Sequence, residues 1–126
     1  MSKVLIVEDD KDIALALAVR MKAKGVEATV THDAMMGVTM AVRDQPDLIL
    51  LDISMPAGGG FSVAERLRNL PNLEGTPIIF ITASKDPDIK TQAMNYRPVG
   101  YFEKPFDSEE LQRKIMETLG EAVAER

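Results

Sequence analysis

Five short, apolar, β-branched segments alternate with five longer helix-prone ones along this chain. That alternation predicts an α/β fold in which a parallel sheet is covered by helices on both faces. Two further observations support it. LILL within 47–52 and IIFI within 77–82 are continuous apolar runs, as strands buried on both faces should be. The 126 residues suit one domain, with enough chain for one sizeable core and not for a second domain with its own core.

The predicted strands are KVLIV at 3–7, VEATV at 26–30, DLILLD at 47–52, PIIFIT at 77–82 and GYFE at 100–103. The second alternates apolar with polar residues, which suits an edge. Helices are expected at 11–24, 34–45, 60–70, 86–96 and 108–119. Asp10 can cap the first helix and Gly25 can end it. Gln45-Pro46 stops the second and Leu70-Pro71 the third, because a residue before proline disfavours the α region. Asp107 stands three residues before Glu110, a start like a capping box for the last helix. Residues 1–120 form the expected domain. Residues 121–126 read as a C-terminal tail, a fraying or slightly extended helix end.

Composition removes several function classes. The chain is 45% hydrophobic and 28% charged, which is globular rather than disordered. It has no cysteine, so disulfides and thiolate metal sites are excluded. His32 is its one histidine, which argues against a His-rich zinc site. No apolar run approaches the ~20 residues that span a bilayer, and the N-terminus turns acidic by residue 8. A cytoplasmic location without membrane attachment is the default expectation. Twenty acids against fifteen bases give a net charge of −5. That balance argues against direct nucleic-acid binding, which needs a basic face.

In an open parallel sheet, ligands bind beyond the carboxyl ends of the strands. The first strand finishes at Glu8-Asp9-Asp10, the third at Asp52, the fourth at Thr82-Ala83 and the fifth at Lys104-Pro105. Each alone has an ordinary reading: a cap for Asp10, a solvated acid for Glu8 or Asp9, a structural hydroxyl for Thr82, a solvated lysine for Lys104. Together they bring carboxylates, a hydroxyl and an ammonium to one edge of the sheet. Clustered carboxylates resist joint ionisation unless a cation joins them. An oxygen-only donor set points to Mg²⁺, with Mn²⁺ possible, rather than zinc.

The pattern resembles the receiver domain of bacterial two-component response regulators. The matching pieces are VLIVEDD at 4–10, DLILLDISMP at 47–56, the glycine-rich stretch ending in Gly60-Phe61, TPIIFITA at 76–83 and GYFEKPF at 100–106. The resemblance runs over about residues 2–120 and implies a flavodoxin-like (βα)5 three-layer sandwich with strand order 2-1-3-4-5. It implies that Asp52 accepts a phosphoryl group. Asp9 would be the direct metal ligand, Glu8 its partner, often through water, and Ser54 the donor of a backbone carbonyl to the metal. Lys104 would contact the phosphoryl group, with a cis bond to Pro105. Thr82 and Tyr101 would be the switch residues. The implied partners are a histidine kinase or histidine phosphotransfer protein and a downstream protein target. The chain would act as a stand-alone regulator, a monomer or a phosphorylation-dependent dimer, or be a receiver cut from a larger protein. It would be a phosphoryl acceptor that assists its own phosphorylation and dephosphorylation rather than an enzyme.

Two other classes use related parts. An Asp-nucleophile, Mg²⁺-dependent phosphatase of the haloacid-dehalogenase kind also combines a strand-end Asp with Thr and Lys. It expects the nucleophile after the first strand in a DxD arrangement, and usually a cap domain. A flavin-binding module of the same fold would want Ser/Thr/Gly-rich phosphate loops, where this chain has acids. The sequence departs from the receiver pattern at Arg97-Pro98, where Gly-Ala is usual, so the loop before the fifth strand is expected to be unusual. Pro87 falls near the start of the fourth helix, where a first-turn proline is tolerated. Ala57-Gly58-Gly59-Gly60 suggests a mobile loop after Asp52. Met35, Met36 and Met40 read as adaptable core filler, His32 as a surface residue and Tyr96 as packing.

Overall fold

The computed structural model describes residues 1–55 and 59–124. Strands β1 (Lys3–Val7), β2 (Glu27–Thr31), β3 (Leu48–Asp52), β4 (Ile78–Thr82) and β5 (Gly100–Glu103) alternate with helices α1 (Lys11–Ala23), α2 (Ala34–Asp44), α3 (Gly59–Arg68), α4 (Pro87–Met94) and α5 (Ser108–Ala124). All pairings are parallel, in the order β2-β1-β3-β4-β5. This is the expected flavodoxin-like sandwich, with β2 and β5 at the edges.

The period-2 alternation of side chains sends each strand's apolar residues to two separate cores. On one face, Ala14, Leu17 and Met21 of α1 and Leu111, Ile115 and Leu119 of α5 cover Val4, Ile6, Leu48, Leu50, Ile79 and Ile81. On the other, α2, α3 and α4 contribute Val38, Ala41, Val63, Leu67 and Ala93 against Leu5, Val7, Ile49, Leu51, Ile78 and Phe80. Every residue of β3 and β4 is buried. The carboxyl ends of the central strands therefore deliver their last side chains into the protein rather than into water.

Helix ends follow the sequence signals. The Asp10 carboxylate accepts from the N–H groups of Asp12 and Ile13, and Asp107 accepts from those of Glu109 and Glu110. Asp33 and Asp86 cap α2 and α4, with Pro87 in the first turn of the latter. Gly25 follows α1 at φ +78°, and Gln45 closes α2 in the left-handed region at φ 48°. Helices α3 and α4 are shorter than expected, ending at Arg68 and Met94. Helix α5 runs through Ala124, so residues 121–124 of the expected tail are helical.

Three expectations need correction or completion. Met35 and Met36 are not core filler: they are 75% and 47% exposed, because they fall on the outer side of α2, and only Met40 packs against the core. Arg97 takes a left-handed φ of 56°, which costs a non-glycine residue roughly 1 kcal/mol. The loop is held there by Arg68. Its guanidinium donates to the carbonyls of Tyr96 (2.9 Å), Glu74 (2.9 Å), Thr76 (2.7 Å) and Arg97 (3.5 Å). Tyr96 stacks on Phe61 with ring centroids 5.6 Å apart, as a packing residue should. Of the glycine-rich stretch, Ala57 and Gly58 lie outside the described residues, whereas Gly59 and Gly60 open α3.

Gly60 is required by close approach. A Cβ there would overlap the Cα of Ile53 and stand 2.7 Å from the Asp52 carbonyl oxygen. At Gly75 a Cβ meets nothing within 4 Å. Gly60→Ala is therefore expected to lower unfolding free energy by about 1–3 kcal/mol, and Gly75→Ala to change it by less than about 0.5 kcal/mol. Urea denaturation of the two variants tests this; equal effects would reject the close-approach account.

Candidate functional site

Glu8 is the first residue beyond β1, and its N–H still donates to Thr31 O at 3.0 Å. Its carboxylate turns inward and is 1% exposed. Oε2 accepts from the Asp10 N–H at 3.0 Å, and Oε1 forms an ion pair with Lys104 Nζ at 2.9 Å without hydrogen-bond alignment. Asp52 ends β3, also 1% exposed. Its Oδ1 accepts from the Ser54 N–H (2.7 Å) and Ser54 Oγ (2.6 Å), and its Oδ2 from Lys104 Nζ (3.0 Å). Lys104 follows β5, donates its N–H to Thr82 O at 2.7 Å and precedes a cis peptide bond to Pro105. One ammonium thus bridges two carboxylates that come from different strands.

Asp9 lies beside them. Glu8, Asp9 and Asp52 each place a carboxylate oxygen within 4.8 Å of the others. Asp9 is exposed, while Asp10 turns away to cap α1. Thr82 ends β4 with no exposed surface; its Oγ1 accepts from the Ser84 N–H at 2.9 Å. Tyr101 pairs in register with Phe80, so its ring shares the sheet face of Phe80 and Thr82. Its hydroxyl is buried without a hydrogen-bond partner, and Lys90 Nζ stands 5.7 Å from the ring centroid.

The two buried carboxyls titrate in opposite directions. Burial, and then the Asp52 carboxyl beside it, push Glu8 up to about 7. Burial opposes ionisation of Asp52 too, but the Glu8 carboxyl beside it and the hydrogen bonds from Ser54 and Lys104 outweigh it and hold Asp52 below its ordinary value. Burial would likewise lower Lys104, yet its bonds to Glu8 and Asp52 raise it. Near neutrality an ionised Asp52 and a charged Lys104 sit beside a Glu8 that readily carries a proton. Environments that push paired groups apart in this way separate an ionised nucleophile from its neighbours.

The acidic residues expected at the site converge and Lys104 joins them, while Thr82 ends the neighbouring strand β4 with its hydroxyl on the Ser84 N–H. The donor set fits a hard divalent cation: three carboxylates, no nitrogen or sulfur ligand, and one buried oxygen, Glu8 Oε1, without a hydrogen bond. Two contributions were not anticipated. Ser54 acts through its side chain, because its hydroxyl both donates to Asp52 and accepts from the Ala83 N–H at 3.2 Å. His32 Nδ1 lies 2.8 Å from the Glu8 carbonyl oxygen. A hydroxyl two residues after a strand-end acid was a readable signal for the first; nothing local announces the second.

The sequence matches the family described as "Response regulator receiver domain" over residues 4–116. The chain belongs to the response regulator receiver family. Among curated relatives, it is 34% identical to the response regulator ArlR of Staphylococcus saprophyticus over 115 residues, 91% of this chain and 51% of that protein. It is 32% identical to the DNA-binding dual master transcriptional regulator RpaA of Synechocystis, over 91% of this chain and 48% of that protein. The chain therefore spans about half the length of these receiver-containing relatives. Among solved structures, the chemotaxis response regulator CheY4 of Vibrio cholerae superposes with a TM-score of 0.85 at 26% identity, covering 94% of this chain and 98% of that one. A CheY-like receiver domain protein of Methanospirillum hungatei gives 0.90 at 25% identity, covering 100% and 99%. Nothing among these similarities favours the phosphatase alternative. Among the described residues no helix is long and apolar enough to cross a membrane.

Glu8 also makes a pH prediction for the metal-free protein. Its folded pKa of about 7 lies above the ordinary 4.5, so folding takes up a proton between those values. The associated stability is full below about pH 4.5 and is lost as pH rises through about 7. Asp52, shifted downward, changes charge below that window. In EDTA, unfolding free energy should fall from pH 5 to pH 8 in the wild type and fall less in Glu8→Gln. Urea titrations at several pH values check it, and parallel profiles would reject the raised Glu8 carboxyl.

Proposed function

We propose that this receiver accepts a phosphoryl group on Asp52 from a phosphohistidine of a histidine kinase or histidine phosphotransfer protein. The observation that carries the reading is the setting of Asp52, buried at the end of β3 with Ser54 donating to one carboxylate oxygen and Lys104 to the other, and with the Glu8 and Asp9 carboxylates within 4.8 Å. In the transfer, a P–N bond breaks with its electron pair leaving on the donor imidazole, and an O–P bond to Asp52 forms. Phosphoryl transfer asks the protein mainly for positioning and for compensation of charge. Ser54 fixes the Asp52 carboxylate, and Lys104 supplies a cation that needs no recruitment.

Glu8, Asp9 and Asp52 would hold Mg²⁺, with Mn²⁺ as an alternative, and Ser54 would offer its carbonyl. When bound, the ion would offset charge on the phosphoryl oxygens. The acceptor's own reaction is stoichiometric, which separates it from an enzyme with turnover. The haloacid-dehalogenase alternative lacks its acidic pair around the nucleophile, since Ile53 and Ser54 follow Asp52.

The response is assigned to Thr82 and Tyr101. A phosphoryl group beside Thr82 brings new acceptor oxygens. The Thr82 hydroxyl can turn to donate to one of them, leaving its present place beside Ser84. Tyr101, on the same face with an unpartnered hydroxyl, is the neighbouring ring able to follow. The surface that changes is then α4, β5 and α5, where a protein target would read it.

Acetyl phosphate with Mg²⁺, followed by borohydride trapping and mass spectrometry, should place the modification on Asp52. Asp52→Asn should abolish it and EDTA should reduce it at least about tenfold; label persisting in either case would overturn the assignment. Thr82→Ala should still be labelled. Its amide shifts in α4 and α5 on adding beryllofluoride should be smaller than in the wild type, and identical shifts would remove Thr82 from the relay.

A further inference from the structure

Strands β1 and β2 pair in parallel register up to Val7↔Thr31, and the Glu8 N–H continues the ladder to Thr31 O. The next ladder bond would run from the residue 33 N–H to the Glu8 carbonyl. It is not made. Asp33 leaves the sheet to cap α2, and its N–H goes to Thr31 Oγ1 at 3.3 Å. The Glu8 carbonyl would be left without a protein partner at the point where the chain turns into the acidic segment. The His32 ring fills the gap, with Nδ1 2.8 Å from that oxygen. A carbonyl only accepts, so Nδ1 carries the proton.

That bond fixes the peptide plane between Glu8 and Asp9. Asp9 needs it, because no hydrogen bond or ion pair to its side chain is present among the described residues. Its neighbours are each anchored: Glu8 at its N–H and both carboxylate oxygens, Asp10 through the α1 cap. The place of the Asp9 carboxylate relative to Glu8 and Asp52 therefore depends on the backbone leading into it.

We infer that His32 is a positioning residue for the cation site, holding the Glu8–Asp9 peptide so that Asp9 completes the carboxylate triad. The inference rests on the proposed Mg²⁺ site and adds to it a residue that touches neither the ion nor the phosphoryl group. His32 is exposed, so it does not hold the fold together through burial. Its loss should act on affinity more than on stability. An asparagine can place its amide N–H near the position of Nδ1, so it should restore part of the function.

Titrate Mg²⁺ into the full chain by calorimetry and by amide shifts, for wild type, Asp9→Ala, His32→Ala and His32→Asn, with urea midpoints for each. Asp9→Ala should lose nearly all affinity. His32→Ala should bind about three- to tenfold more weakly, the scale of one net hydrogen bond, with a urea midpoint close to wild type, and His32→Asn should recover most of that loss. Wild-type affinity in His32→Ala, with Asp9→Ala impaired, overturns the positioning role and leaves the cation site standing. Equal losses in His32→Ala and His32→Asn overturn it as well. An Asp9→Ala variant that binds like wild type overturns the site reading itself, and the inference with it.

Discussion

Two carboxylates buried against one ammonium set the terms for everything else at the upper edge of this sheet. Glu8 and Asp52 are almost without solvent, and Lys104 Nζ reaches both. Two full negative charges there would exceed the one positive charge available. Burial of charge is tolerated only where it is paired and hydrogen-bonded. The protein meets that condition unevenly. Asp52 receives two donors from Ser54 besides the lysine, whereas Glu8 receives one backbone N–H besides its ion pair. The proton therefore goes to Glu8, and the charge that remains resides on the side chain best placed to use it. A cation bound beside Asp9 would compete with that proton for the same oxygens.

The sheet makes this arrangement possible because its central strands are buried along their whole length. A half-exposed strand would end in a solvated acid with an ordinary titration. Here β3 and β4 carry continuous apolar runs, so the residues that follow them arrive already desolvated. The packing that buries them leaves little slack. Gly60 lets the start of α3 lie against the backbone of Asp52 and Ile53, and Gly37 lets α2 approach Val7, whose methyls would stand 3.1 Å from an added Cβ. Substitutions at such glycines would move the backbone that aims Asp52 and Glu8, so the requirement for small residues links fold to site directly.

Most of the fold was legible because its signals are local. Apolar runs, capping aspartates and prolines act over a few residues, and the strand ends they define determine which acids meet. The placement of the candidate residues followed from that, since Glu8, Asp9, Asp52, Thr82 and Lys104 all close elements on one side of the sheet. What escaped depends on contacts distant in sequence. Arg68 holds Tyr96 and Arg97 across 28 and 29 residues, a support for the loop at Arg97-Pro98 that no local signal announces. His32 reaches Glu8 across 24 residues, and a lone histidine after an edge strand gives no local hint of a partner. Met35 and Met36 were misread because three methionines in six residues suggest a core stripe, whereas the helical period places only Met40 inward. The Ser54 hydroxyl is an intermediate case: the residue was expected at the site, but for its carbonyl.

The hydroxyl of Ser54 matters for where a change at Asp52 can travel. It receives the Ala83 N–H while donating to Asp52, so the Asp52 carboxylate and the β4–α4 loop share one side chain. Thr82 lies next to that loop residue, and Lys104 binds Asp52 with its ammonium and the Thr82 carbonyl with its N–H. Three connections therefore run from Asp52 toward β4 and β5. Toward β2 the connections are of another kind: Glu8 meets Thr31 and His32 through backbone atoms that keep the same charge whatever happens to the carboxylate. A new anionic group on Asp52 alters the partners of Ser54 and Lys104 and leaves the β1–β2 ladder untouched. Tyr101 adds a ring packed against the core that includes Phe80, with a buried hydroxyl that has no partner among the described residues and a face shared with Lys90. The asymmetry of hydrogen bonding around one aspartate thus ties Asp52 to the β4–β5 side through side chains and the Glu8–Asp9 segment to the β1–β2 side through backbone atoms.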